Sequence, residues 1–153
     1  MSTFNHVGHC VRDLARSRRF YVEALGFEPY YELEPPDEPS DRLLGLPAPV
    51  GLQCVYLRRD GFVLELLHYA GAGEVTPARP RVMNEVGLTH ISISVEDIPA
   101  TCARVTEFGG EVMTDTDIDF AVFVRDPDGQ FIELLTMGFR DSLPDAGPGA
   151  GAS

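Results

Sequence analysis

The stretch Leu88–Pro99, LTHISISVEDIP, decides the fold because the chain carries a second version of it. Polar and apolar residues alternate along its strand portion, which is the period of a half-buried β-strand. Near the amino terminus, Phe4–Ala15 reads FNHVGHCVRDLA. Placing His6 on His90 aligns the two stretches at an offset of 84 positions. This match indicates an internal repeat, which should be sought before any other feature of a sequence.

The repeat extends well beyond the two histidines. At the same offset, the following pairs match: Asp13 with Asp97, Leu14 with Ile98, and Gly26 with Gly110. Further on, VLELL with Glu65 and FIELL with Glu133 each follow an Asp-Gly pair, now 68 positions apart. The first copy therefore carries 16 additional residues, which we place in the proline-rich segment Glu32–Val50.

Each copy reads as a strand, a helix and three further strands, so the predicted fold class is α+β. Asp13 and Asp97 are expected to cap the two helices, which end near Leu25 and Phe108. The predicted strands cover about residues 4–11, 28–33, 53–57, 62–69, 89–95, 111–114, 121–124 and 131–136. The predicted units are a first module at 1–70, a linker at 71–84, a second module at 85–138 and a disordered tail at 139–153. Because residues 32–50 hold five of the twelve prolines, we expect a long loop there.

Composition narrows the class of partner. The net charge of −12 disfavours nucleic acid or an anionic membrane surface, and leaves a small-molecule substrate open. The three cysteines are scattered, which argues against a disulfide framework and suits a reducing compartment. No signal peptide and no apolar run of about 20 residues is seen. We therefore expect a cytoplasmic protein.

Four polar residues occupy matching positions in the predicted strands: His6, Glu65, His90 and Glu133. A lone carboxylate in an apolar strand is costly to bury unless it is paired or bound to a metal. Taken singly, each residue could be an ordinary core or surface residue, but the repeat favours a common purpose. If the copies are related by a pseudo-twofold axis, two imidazoles and two carboxylates can bind one divalent ion. Zinc, nickel, cobalt, manganese and iron(II) all suit this donor set.

The two remaining histidines are predicted to pack rather than to bind metal. His9 lies three positions after His6, and His68 three positions after Glu65, so both face the other side of their strands. The segment Asp126–Gly129, DPDG, is read as a turn.

Three segments together resemble the vicinal oxygen chelate superfamily, which includes glyoxalase I, methylmalonyl-CoA epimerase, extradiol dioxygenases, and bleomycin and fosfomycin resistance proteins. They are HVGHCVRDLARSRRFYVEALGF from His6, GLTHISISVEDI from Gly87, and DPDGQFIELL from Asp126. The motif residues in the first segment are His6, Asp13, Phe20-Tyr21 and Leu25-Gly26. The likeness spans about residues 4–136.

The resemblance implies two βαβββ modules that form a curled, cup-like mixed sheet around one metal ion. It implies His6, Glu65, His90 and Glu133 as ligands, and a homodimer, since members of the superfamily are commonly dimers. It also implies proton abstraction next to a carbonyl of a small molecule or thioester, through a metal-stabilised enediolate. The enzyme would be a lyase or an isomerase of the glyoxalase or epimerase type. Either Glu133 or Glu65 would be the base.

Substrate contacts are expected from Ser92, Cys10 and Tyr69. Short bacterial glyoxalases I usually have an arginine and an asparagine where this chain has Cys10 and Tyr69, so the resemblance does not extend to those glutathione contacts.

Two alternative functions stay open. One is an extradiol-type dioxygenase that uses iron(II), and the other is a drug-binding resistance protein without turnover.

Overall fold

The computed structural model describes residues 1–143, and its secondary structure repeats once. The first copy contains β1 (Val7–Cys10), α1 (Leu14–Arg19) continued by a π-helical turn (Phe20–Ala24), β2 (Glu28–Leu33), α2 (Asp37–Leu44), β3 (Leu52–Arg59) and β4 (Phe62–Tyr69). The second contains β5 (His90–Val95), α3 (Ile98–Glu107), β6 (Glu111–Val112), a 3₁₀ turn (Thr114–Thr116), β7 (Ala121–Arg125) and β8 (Phe131–Thr136), followed by α4 (Met137–Ser142). The predicted α+β class and its two βαβββ modules are confirmed.

The two copies have the same sheet topology. Each forms a four-stranded mixed sheet, with the order β1-β4-β3-β2 in the first and β5-β8-β7-β6 in the second. In each sheet the first strand pairs in parallel with the last, and the other pairs are antiparallel. The last strand of each module, which carries the glutamate, is therefore flanked on both sides.

One apolar core joins the modules. The even-numbered residues of β4, such as Leu64 and Leu66, and the residues that flank Glu133 on β8, Ile132 and Leu134, are all fully buried in it. Helical residues fill the space between the sheets; the main ones are Phe20, Tyr21, Ala24 and Val105. Because strand side chains alternate between faces, Glu65 and Glu133 lie on the faces turned away from this core.

The helix starts follow the sequence prediction. The Asp13 carboxylate accepts a hydrogen bond from the backbone N–H of Arg16 at 2.9 Å, and that of Asp97 accepts one from Ala100 at 2.8 Å. Each aspartate satisfies one of the unpaired donors of the first helical turn. The first helix differs from the prediction in its second half, where a π-helical turn replaces the regular helix.

The proline-rich segment is not the continuous loop that was predicted, because α2 forms inside it. Prolines are tolerated in a first helical turn, where the backbone N–H groups have no helical partner, and Gly45 ends the helix in a left-handed conformation. The Asp37 carboxylate accepts hydrogen bonds from the N–H groups of Val50 and Gly51, both at 2.9 Å. This closes the segment onto the sheet face that carries Glu65, where Val50 packs beside Cys54.

The predicted tail also differs in part. Residues 139–142 belong to α4, whereas residues 144–153 lie outside the described part of the chain. Within residues 1–143, no helix has the length and apolar character needed to span a membrane.

Candidate metal centre

The first candidate pair consists of His6 and Glu65. His6 immediately precedes β1, and its Nε2 lies 3.0 Å from Oε2 of Glu65 on β4. Gly8 on β1 is directly opposite Glu65, and a Cβ added there would lie 3.6 Å from that same oxygen. The glycine therefore keeps side-chain atoms away from the space in front of the pair. Only 10% of the Glu65 side chain is exposed, so the carboxylate is buried and depends on its partners.

The second pair repeats this arrangement in a looser form. Nε2 of His90, the first residue of β5, lies 3.6 Å from Oε2 of Glu133 on β8. Ser92 is directly opposite Glu133, and its hydroxyl donates a hydrogen bond of 2.7 Å to Oε2. The Glu133 side chain is 24% exposed, more than twice the value for Glu65.

The residue before each histidine fixes its ring. Oδ1 of Asn5 lies 2.6 Å from Nδ1 of His6, and the Thr89 hydroxyl lies 2.9 Å from Nδ1 of His90. An amide oxygen only accepts hydrogen bonds, so in the assigned orientation Nδ1 of His6 carries the proton. Nε2 of His6 is then the ring nitrogen that faces Glu65. A second partner that sets the tautomer in this way is typical of metal-binding histidines.

The four predicted ligands form two half-sites rather than one site. We call His6 with Glu65 half-site 1, and His90 with Glu133 half-site 2. Nowhere in residues 1–143 do three or more histidine, cysteine or acidic side chains come together in a metal-binding arrangement. Each half-site offers one imidazole nitrogen and one carboxylate, a donor pair that fits a divalent metal, but two donors fall short of the usual protein ligand set.

The predicted substrate contacts lie on the same faces as the half-sites. Ser92 contacts Glu133 directly, as described above. Cys10 is exposed on β1, next to Leu67 of β4, and burial together with Glu74 and Asp128 raises the pKa of its thiol. A raised pKa disfavours the thiolate, so Cys10 suits a lining role better than a nucleophilic one. Tyr69 packs in the small apolar cluster that also contains Cys54.

Sequence reasoning missed two residues that hold other side chains in place. Tyr56 on β3 is directly opposite Glu65, and its hydroxyl donates a hydrogen bond to Oε1 of that carboxylate. Burial and the contact with Glu65 raise the pKa of the neighbouring Cys54 thiol to about 12. The sequence predicted a strand over residues 53–57, but nothing in it marked Tyr56 as a partner of Glu65.

Asp126, predicted as part of a turn, is buried between the modules. It accepts hydrogen bonds from Nε2 of His9 at 2.7 Å and from the hydroxyl of Tyr21 at 3.0 Å. Burial by itself would raise the pKa of Asp126, but the interactions with His9, Gln130 and Tyr21 outweigh it and hold that pKa below its usual value. His9 does face the helix side, as predicted, and its partner there is a charged group.

Comparison with known proteins identifies the family of the chain. Residues 3–134 match the family described as Glyoxalase/Bleomycin resistance protein/Dioxygenase superfamily. A probable lactoylglutathione lyase from Synechocystis sp. is 30% identical over 130 residues, which cover 82% of this chain and 88% of that protein. Relatives of this kind support an enzyme of the glyoxalase type at the level of the family.

Solved structures give the same result for the fold. The trypanothione-dependent glyoxalase I of Leishmania major superposes with a TM-score of 0.66 at 26% identity, covering 89% of this chain and 87% of that one. A glyoxalase family protein from Bacillus cereus gives a TM-score of 0.73 at 19% identity, covering 89% and 94%. On the family match and these likenesses, the chain belongs to the Glyoxalase/Bleomycin resistance protein/Dioxygenase superfamily.

Proposed function

We propose that this protein is a metal-dependent lyase or isomerase that removes a proton next to a carbonyl group of a small molecule. The observation that carries the proposal is the repeated pair, in which a histidine Nε2 faces a carboxylate Oε2 at equivalent places in both modules. Its relatives named as lactoylglutathione lyases support the same reaction class.

We propose that two copies of the chain complete each site. Both half-sites lie on faces turned away from the shared core, and within residues 1–143 they do not meet. Half-site 1 of one subunit would face half-site 2 of its partner. A twofold symmetric dimer would then contain two equal sites. His6 and Glu65, with the partner subunit's His90 and the partner subunit's Glu133, would hold one divalent ion.

A bound divalent ion would supply a Lewis acid for the carbonyl oxygen of the substrate. The residues of the chain supply the proton transfer. Glu133 is the better base, because its side chain is the more exposed of the two carboxylates and it lies in the looser pair. It would take the proton from the carbon next to the carbonyl and return it to another face or atom. Ser92 holds this carboxylate towards His90, and Gly8 leaves room for the substrate.

Metal content of the purified protein tests the first part of the proposal. We expect about one divalent ion per chain in the unmodified protein and loss of that ion in His90→Ala. His68→Ala is the matched control, because His68 pairs with Glu74 outside both half-sites and its loss should leave the metal in place. If the unmodified protein binds none of zinc, nickel, cobalt, manganese or iron(II) after incubation, the proposal is wrong.

Mixing two inactive variants tests the shared site. His6→Ala damages half-site 1, and His90→Ala damages half-site 2. When subunits exchange freely, half of the dimers are mixed, and each mixed dimer regains one intact site. About one quarter of the normal metal-binding capacity should therefore return. If exchange is verified by mass spectrometry and no capacity returns, the site is not shared between subunits.

The same mixture reports on catalysis. Solvent deuterium exchange into the hemithioacetal of methylglyoxal and glutathione, followed by NMR, is a direct probe of proton abstraction. Exchange restored in parallel with metal binding would support the lyase class. Full metal binding with oxygen consumption on catechol, and without exchange, would instead favour the dioxygenase alternative.

A further inference from the structure

Tyr56 contacts both members of half-site 1. Its hydroxyl donates to Oε1 of Glu65, whereas the other carboxylate oxygen, Oε2, faces Nε2 of His6 at 3.0 Å. Its ring packs edge-to-face against the His6 imidazole, with 5.5 Å between ring centroids. The carboxylate of Glu65 is therefore held from behind, and its two oxygens have different partners.

The second module contains a natural comparison for Tyr56. Phe123 on β7 is directly opposite Glu133, as Tyr56 on β3 is opposite Glu65. The Phe123 ring packs edge-to-face against His90 with 5.4 Å between centroids, nearly the same contact as in the first module. The two places differ mainly by the phenolic hydroxyl, so the aromatic ring contacts a histidine in both modules, but of these two rings only that of Tyr56 also donates a hydrogen bond to the glutamate opposite it.

Glu133 also accepts a hydrogen bond from a hydroxyl, but this hydroxyl lies on the strand at the opposite side of Glu133 and donates to the other carboxylate oxygen. Ser92 donates to Oε2, the oxygen nearer to His90, and the place that corresponds to Ser92 in the first module is Gly8. Tyr56 thus engages the carboxylate oxygen that points away from the histidine, and Ser92 engages the one that points towards it. This difference leaves Oε2 of Glu65 as the oxygen available beside His6.

We propose, on the basis of the proposed function, that Tyr56 is a positioning residue that fixes Glu65 as a metal ligand through Oε2. Donation to Oε1 opposes rotation of the carboxylate about its terminal bond. Glu133 faces a phenylalanine on the equivalent strand, and within residues 1–143 its one side-chain hydrogen bond comes from Ser92 to Oε2, so its Oε1 has no such partner there. The hydroxyl of Tyr56 therefore distinguishes Glu65 as the glutamate whose outer oxygen is held and whose Oε2 is directed at His6.

The test is the affinity of the full-length protein for Co²⁺, measured by competition with a chromophoric chelator. Tyr56→Phe keeps the ring that packs on His6, and Phe123 shows that phenylalanine is compatible with this position of the fold. Loss of a residue that orients a ligand typically lowers metal affinity by about 10–100-fold, and we expect a loss in that range. The visible spectrum of bound Co²⁺ should also change, because the ligand oxygen is no longer held in one orientation.

Tyr31→Phe is the matched control. Tyr31 lies beside Tyr56 with 5.9 Å between ring centroids, and removal of its hydroxyl deletes the same group one strand further from Glu65. We expect Tyr31→Phe to keep the affinity and the Co²⁺ spectrum of the unmodified protein. Without metal, Tyr56→Phe should melt at a lower temperature than Tyr31→Phe, because only the former removes a hydrogen bond to a buried carboxylate, and both should still unfold in one cooperative transition.

The outcomes separate this inference from the proposed function. If the unmodified protein binds Co²⁺ and Tyr56→Phe binds it equally well with the same spectrum, the role of Tyr56 is refuted and the metal site stands. If both tyrosine variants lose affinity alike, the effect is general to the aromatic cluster and the inference also fails. If the unmodified protein binds no divalent ion, the proposed function itself fails.

Discussion

Replacement of Asp126 by asparagine should strongly destabilise the protein, because this carboxylate joins the two modules. One oxygen accepts hydrogen bonds from Nε2 of His9 and the hydroxyl of Tyr21, and the other accepts them from the backbone N–H groups of Asp128 and Gln130. The Asp126 side chain is 0% exposed. Water therefore cannot replace a partner that is lost.

The size of the expected loss of stability follows from the hydrogen-bonding groups that would lose their partners. Asparagine can still accept the two backbone hydrogen bonds through its oxygen. Its NH₂ group would then face His9 and Tyr21, which both donate in the present structure. A buried donor without an acceptor costs about 1–3 kcal/mol. Because the Tyr21 hydroxyl can rotate and accept instead, we expect a loss of about 2–3 kcal/mol in the free energy of unfolding.

The assay is urea denaturation at one fixed protein concentration, because the proposed dimer would make the stability depend on concentration. Asp60→Asn is the matched control, because the Asp60 side chain is 89% exposed beside Arg59 and its change should stay within about 0.5 kcal/mol. A loss for Asp126→Asn that is no larger than that of the control would refute the reasoning. The reasoning would also be refuted if the variant lost the contact with His9 completely and the two modules still packed unchanged.

The pH dependence supplies an independent check of the same carboxylate. The pKa of Asp126 is lower in the folded protein than its ordinary value, so its charged form stabilises the fold at every pH above the unfolded value of about 3.9. This contribution is lost as the pH falls through the lower folded pKa. The stability advantage of the unmodified protein over Asp126→Asn should therefore narrow as the pH falls below about 4.

Three further changes test the site and the segment that covers it. Glu133→Gln should reduce solvent proton exchange by at least about 100-fold while part of the bound metal remains, and unchanged exchange would exclude Glu133 as the base. Gly71→Ala should cost about 1–3 kcal/mol, because the new Cβ would lie 2.2 Å from the carbonyl oxygen of Pro49, whereas the Cβ of Gly138→Ala would meet only Oγ1 of Thr136 at 4.0 Å and should not destabilise the protein in thermal unfolding. Asp37→Ala should cost about 1–3 kcal/mol by stranding two backbone N–H groups, and limited proteolysis should then cut the segment 37–51 faster.

The fold could be predicted because the repeat and the strand alternation are local signals. Asp13 and Asp97 begin their helices as expected, and the strands of the second module start and end within a few residues of the predicted positions. The helix α2 was missed because five prolines argue against a long helix, and they do not exclude one of eight residues with a single proline, Pro39, near its start.

The site was only partly predictable from the sequence. Alternation placed His6, Glu65, His90 and Glu133 on the correct faces, but it carries no information on whether the faces of one chain meet. Tyr56 was missed for a specific reason. The offset of 68 that aligns Glu65 with Glu133 also aligns Tyr56 with Val124. In the strand pairing, however, Tyr56 lies opposite Glu65 and Phe123 lies opposite Glu133, so Phe123 is the spatial equivalent of Tyr56. The chain from Phe123 to Glu133 is one residue longer than the chain from Tyr56 to Glu65. The sequence offset and the spatial equivalence therefore differ by one position across that turn.

The two copies differ in chemistry at the residues that contact their glutamates. If the duplication had kept both modules alike, a shared site would bring together two equivalent glutamates, and neither would be favoured as ligand or base. Instead, a hydroxyl reaches Glu65 from β3 and reaches Glu133 from β5, through Tyr56 and Ser92. A site built from half-site 1 of one subunit and half-site 2 of another would thus always combine one glutamate of each kind. In the proposed dimer, pairing of unlike half-sites would give this combination twice, whereas pairing of like half-sites would place two glutamates held by Tyr56 in one site and two held by Ser92 in the other.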